Sequence, residues 1–135
     1  YMNRLQLTHE LSCVTAACLA TRRAIFDEIG GFDEKHLIVG FNDVDFCMRV
    51  REAGYRVIWS PFAELYHYES ASRGADETLD QIGRARLEVE YMNKKWGAAL
   101  QSDQFYNPNL SLRNGSFEMA KTPRVTNPWC EIDLC

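Results

Sequence analysis

The chain has 135 residues, 46% of them apolar, which allows one domain with a real core at the small end of the range for an enzyme. A formal charge of -4 and a pI near 5.4 supply no basic field, which excludes binding of a nucleic acid polymer or an anionic bilayer as the main function and leaves only a local basic site for a small phosphate. There is no charged-then-apolar leader, no apolar run long enough to span a bilayer, and no CxxC pair among the five cysteines, so a cytoplasmic setting without a transmembrane segment is expected.

In chain order, residues 1–10 are polar and without a period, as in a segment entered partway. Residues 11–20 are small and β-branched with no helical charge stripe, which predicts a buried strand. Thr21 is placed to cap a helix over residues 22–29, with Ala24 or Ile25 and Ile29 on one side and Asp27 and Glu28 outward. Gly30-Gly31 stops it, the first glycine as a left-handed cap. Residues 35–41 bridge to a second helix over residues 42–53, where Asn42 is the expected N-cap, Asp43 and Asp45 suit the positive end of the helix dipole, and Asp45 can pair with Arg49.

Gly54 ends that helix, residues 55–60 read as a short strand broken by Pro61, and residues 63–68 alternate like another, with His67 at its end. A long helix is expected over residues 76–96, with Ile82, Ala85, Val89, Met92 and Trp96 as its apolar stripe and Gly97 as its end. From Gln101 onward, Asn, Gly and Pro mark an extended tail over the surface. Cys13, Cys18 and Cys47 sit in apolar surroundings that suggest core positions, while Cys130 and Cys135 read as tail thiols or as a weak metal or disulfide pair.

Two places carry candidate chemistry. Asp43 and Asp45 open a helix, where acids are stabilised by about 0.3–1 kcal/mol with no further role, or where one of them serves as a general base. An Asp-x-Asp metal site is rejected, because such a pair belongs after an apolar strand, whereas this one follows a loop and alternate helical positions point in different directions. His67 is either a hydrogen-bonded structural residue or a metal ligand; Glu69, Ser70, Ser72, Arg73 and Gly74 follow it, and such a loop suits an anion carrying a metal. The plain alternative for Arg73 is a solvated loop charge.

The succession Thr15-Ala-Ala-Cys-Leu, Arg22-Arg23, Ile29-Gly-Gly-Phe-Asp-Glu34, Asn42-Asp-Val-Asp-Phe-Cys-Met-Arg49, Ala53-Gly-Tyr55, Pro61 and His67-Tyr-Glu-Ser70 resembles the C-terminal half of the catalytic domain of glycosyltransferase family 2. Residues 75–115, with Trp96-Gly97 and Tyr106-Asn-Pro-Asn-Leu110, also resemble the ends of bacterial members that build surface polysaccharides. The resemblance implies an α/β fold, the C-terminal part of a GT-A domain over residues 1–115 with a few strands, two short helices and one long one, followed by an extended tail over residues 116–135. It implies an inverting transfer from a nucleotide-sugar donor to a glycan or lipid-linked acceptor, at the inner face of the membrane in the full-length protein. The family's acidic dipeptide, usually Glu-Asp or Asp-Asp, falls on Asn42-Asp43, which makes Asp43 the base and Asn42 a departure.

Asn42, Gly31, Ser70 and Arg73 then become substrate-binding candidates and His67 a ligand for a divalent cation, Mg or Mn. The family's nucleotide-binding half, with its own Asp-x-Asp, is expected ahead of residue 11, so the chain reads as an acceptor-side fragment, inactive alone and unable to hold the cation tightly. A sheet cut in half exposes an edge, which makes a homodimer through that surface a hypothesis. Two rivals remain: a non-catalytic glycan- or partner-binding module, favoured by Asn42, and a metallohydrolase using Asp43, Asp45 and His67.

Overall fold

A computed structural model describes residues 5–68, 78–113 and 117–125. Strand β1, His9–Leu11, is followed by a 3₁₀ turn at Ala16–Cys18, helix α1 at Arg23–Ile29, helix α2 at Asn42–Glu52, strand β2 at Val57–Trp59 and helix α3 at Leu79–Gln101. The class is α/β, with two short helices and one long one. β1 and β2 form a two-stranded antiparallel sheet in which His9 faces Trp59, Glu10 faces Ile58 and Leu11 faces Val57.

The expected strand over residues 11–20 ends at Leu11, because Thr15 accepts a hydrogen bond from the Ala17 amide and caps the 3₁₀ turn instead. Residues 63–68 form no strand. Cys47 is buried and Cys13 half-buried, but Cys18, at the end of that turn, is exposed rather than in the core.

Glycine ends both short helices by one mechanism. The Gly31 amide bonds the Phe26 carbonyl and Gly30, at φ 83°, bonds Asp27; after α2 the Tyr55 amide bonds Val50 and Gly54, at φ 86°, bonds Arg51. Each pair satisfies carbonyls that the helix end would otherwise leave open. The helix starts differ from expectation. Arg22, not Thr21, precedes α1, without a side-chain cap. Phe41, not Asn42, is the N-cap of α2, at φ 61°, and Asn42 is already helical. A phenylalanine held in the left-handed region costs on the order of 1–2 kcal/mol, which the surrounding contacts must offset.

α2 is the centre of the domain. On one side Phe46, Cys47 and Val50 meet Val57, Ile25, Phe26, Ile29 and Phe32; on the other Met48 and Val44 meet Leu37, Met92 and Trp96. α3 begins with a capping box in which Thr78 and Gln81 bond each other's amides, and it runs through Gly97, where a glycine leaves the ladder intact. Its buried positions are Glu88, Met92 and Trp96, so the expected apolar stripe holds at Met92 and Trp96 but not at Ile82 and Val89, which are exposed. Beyond α3, Leu110 is buried and forms a β-bridge with Met119, and Arg124 donates to the Leu110 carbonyl, so described parts of the tail fold on themselves. Among the described residues no helix is long and apolar enough to cross a membrane.

Candidate functional site

Asp43 lies in the first turn of α2, half-buried. Its Oδ2 accepts the Ala16 amide at 3.0 Å and its Oδ1 the Val44 amide at 2.8 Å. Two backbone donors therefore fix the carboxylate against the 3₁₀ turn, while each oxygen keeps a further lone pair. The residues flanking Ala16, Thr15 and Ala17, line an apolar cleft of about 730 Å³ together with Cys13, Cys47, Trp59 and Tyr66. Asp43 is thus tied by the Ala16 amide to the chain segment that forms one wall of that cleft. Its charge reaches the thiols: burial first, then Cys47, Asp103 and Asp43, push Cys13 up to about 11, with Arg51 opposing.

Asp45, two residues on, has a different role. It is fully buried and receives the Lys95 ammonium at 2.7 Å, the Trp96 indole N–H at 2.7 Å and Arg49 Nε at 2.8 Å. Burial works to raise its pKa, but the hydrogen bonds from Lys95, Trp96 and Arg49 and the Arg49 charge outweigh it, so the carboxyl is held below its ordinary range. The remaining Arg49 donors bond the Ile29 and Gly31 carbonyls, each at 2.7 Å. The expected pairing with Arg49 is present, within a network that joins α1, α2 and α3.

The other candidates do not converge on one cavity. Gly31 is buried at φ 67°, where an added Cβ would meet the Phe26 ring at 3.0 Å, and it lines a second, open groove of about 790 Å³ with Asp33, Lys35, Arg49 and Lys95. His67 is exposed and lines the apolar cleft. Asp43 is in neither lining. Ser70 and Arg73 lie outside the described residues. Among the described residues no three His, Cys, Asp or Glu side chains gather into a group that could hold a metal ion, so these residues do not by themselves fit a divalent cation.

The loop ahead of Asp43 is tied down at three points that sequence reading missed. Asp33 bonds the Lys35 and His36 amides, the His36 ring and, at 2.8 Å, the Tyr91 hydroxyl of α3. Burial opposes its ionisation, but these donors prevail and hold its carboxyl well below the usual range. Leu37 is buried against Met92 and Trp96. Glu88, 3% exposed, accepts the Val39 amide at 2.9 Å and the Gly40 amide at 3.0 Å. The one signal in the sequence was an acid standing four residues before Met92 and eight before Trp96, on the buried face of α3.

Comparison with known proteins relates the chain to an O-antigen biosynthesis protein and to a glycosyltransferase. It is 37% identical over 99 residues to the O-antigen biosynthesis protein RfbC of Myxococcus xanthus, covering 73% of this chain and 7% of that protein. It is 36% identical over 63 residues to the N-acetylglucosaminyl-diphospho-decaprenol L-rhamnosyltransferase of Mycobacterium tuberculosis, covering 47% of this chain and 20% of that one. Over 130 residues, 96% of the chain, it is 48% identical to the Sinorhizobium fredii protein named uncharacterized protein y4gI, of which it spans 14%. No family model matches the chain, and no solved structure matches it significantly.

Proposed function

We propose that the chain is the acceptor-side part of an inverting, family 2 glycosyltransferase of GT-A fold, with residues 1–115 belonging to the catalytic domain and Asp43 as its general base. The observation that carries this reading is the placement of Asp43: half-buried in the opening turn of α2, with its carboxylate oriented by the Ala16 and Val44 amides. Relatives named for O-antigen biosynthesis and for rhamnosyl transfer support the class. Asp43 takes the proton of an acceptor hydroxyl as that oxygen attacks the anomeric carbon; the bond from that carbon to the nucleoside diphosphate breaks, and the diphosphate leaves with the electron pair. A divalent ion would neutralise that leaving group, but apart from His67 its ligands would have to come from outside the described residues.

Donor contacts belong to the half of such a domain expected ahead of residue 11, so the isolated chain should transfer nothing. The test uses the intact protein, nucleotide-activated hexoses including L-rhamnose, and a short-chain N-acetylglucosaminyl-diphospho-prenol acceptor. Asp43→Asn should lower kcat by about 10²–10⁴, the usual contribution of a positioned base, with donor KM unmoved. Activity within ten-fold of the parent would refute the assignment and favour the binding-module reading that Asn42 supports.

A further inference from the structure

The turn that delivers Asp43 is strained, and its strain has an identifiable support. Phe41, two residues before Asp43, is one of two non-glycine residues at positive φ among those described, and its carbonyl accepts the Asp45 amide at 2.8 Å, which starts the α2 ladder. A strained turn of this kind persists only where its surroundings over-determine it. The two residues immediately before it, Val39 and Gly40, each give their amide to a different oxygen of Glu88, 49 and 48 residues further along the chain. The carboxylate grips two successive peptide units, fixing both the position and the angle of the backbone entering Phe41. The grip is close, since a Cβ added at Gly40 would lie 2.8 Å from Glu88 Oε2. Arg84, one turn earlier on α3, stands 4.0 Å from the same carboxylate as its countercharge.

We propose that Glu88 is a positioning residue of the candidate site: through Val39 and Gly40 it sets the left-handed turn at Phe41 and thereby the height and direction of Asp43. Neither Glu88 nor the loop it holds needs to touch the reacting atoms. The inference rests on the reading of Asp43 as the base, but the clasp itself can be judged separately.

The test compares Glu88→Gln, which turns one acceptor oxygen into an NH₂ facing an amide N–H, with Glu88→Asp, which keeps the charge one methylene short, in the intact protein. Gly40→Ala attacks the same contact from the loop side and serves if a Glu88 variant fails to fold. For Glu88→Gln, kcat for transfer onto the N-acetylglucosaminyl-diphospho-prenol should fall about ten-fold or more, with donor KM within about two-fold and Glu88→Asp in between, as a small misplacement of a base requires. Amide hydrogen exchange at Val39 and Gly40 should accelerate about ten-fold or more while the amides of residues 46–50 are unchanged. A merely structural Glu88 would lower the melting temperature and leave kcat of the folded protein intact. The inference is overturned if folded Glu88→Gln keeps kcat within two-fold of the parent while Asp43→Asn is inactive, or if the two amides stay protected. Transfer retained by Asp43→Asn would instead sink the base assignment and leave the clasp to stand or fall on the exchange rates.

Discussion

Replacing Asp45 by Asn is the sharpest test of how the domain is held together. Asn keeps the shape and an acceptor for the Trp96 indole, but removes the negative charge between Arg49 and Lys95. Breaking a buried ion pair from one side costs about 3–5 kcal/mol, because the partner charges are left uncompensated. Arg49 and Lys95 are 19% and 30% exposed at their side chains and can recover some hydration, which places the expected loss near about 3 kcal/mol. Against a total stability of about 5–15 kcal/mol that is a large fraction, equivalent to a melting temperature roughly 12 °C lower for a chain of this size. Urea denaturation followed by tryptophan fluorescence at pH 7 measures it directly. Because the folded Asp45 carboxyl titrates below its unfolded value, its contribution is complete above the ordinary carboxylate range and disappears as pH falls through the folded value. The difference between parent and variant should therefore be constant from about pH 5 to 8 and shrink only below about pH 4. A loss under about 1 kcal/mol at pH 7, or a gap that grows on acidification, would refute the reasoning.

Two further expectations concern a helix end and the thiols. Gly30→Ala meets no atom within 4 Å, so its cost is conformational alone, about 1–2 kcal/mol by the same denaturation assay; a loss above about 4 kcal/mol would mean that the cap does more than bend the chain. Alkylation with iodoacetamide at pH 8 should modify exposed Cys18 well before Cys13, which is pushed up to about 11, and before buried Cys47; peptide mass mapping showing Cys13 labelled first would contradict the packing around it.

What the sequence made legible was local. Gly30 and Gly54 announce their helix ends because a left-handed C-cap is almost the only reason for glycine there. Asp45 and Arg49 are neighbours on any helix, so their pairing needs no tertiary knowledge. Asn42 is the expected cap because its residue type favours that place, whereas the observed cap, Phe41, holds a left-handed backbone at which no propensity of phenylalanine hints. The helical spacing to Met92 and Trp96 places Glu88 on the buried face of α3, but what it holds there is not legible locally, because its amide partners lie 49 and 48 residues away. The run over residues 11–20 looked like one strand because β-branched residues favour extended backbone in general, yet Thr15 prefers to bond the amide two residues ahead. The candidate site divides along the same line. Asp43 can be found from its place at a helix start, but the brace at Ala16 that orients it joins segments 27 residues apart.

The guanidinium of Arg49 has a consequence for how the molecule opens. It closes the Ile29 and Gly31 carbonyls at the end of α1 while anchored on the buried carboxylate of α2, which is in turn bonded to Lys95 and Trp96 of α3. Fraying of α1 from its C-terminal end breaks the two bonds that tie Arg49 to it and so removes part of what seats α2, which couples the loosening of the two short helices. They should behave as a single cooperative unit, with native-state exchange of the α1 and α2 amides following one opening free energy.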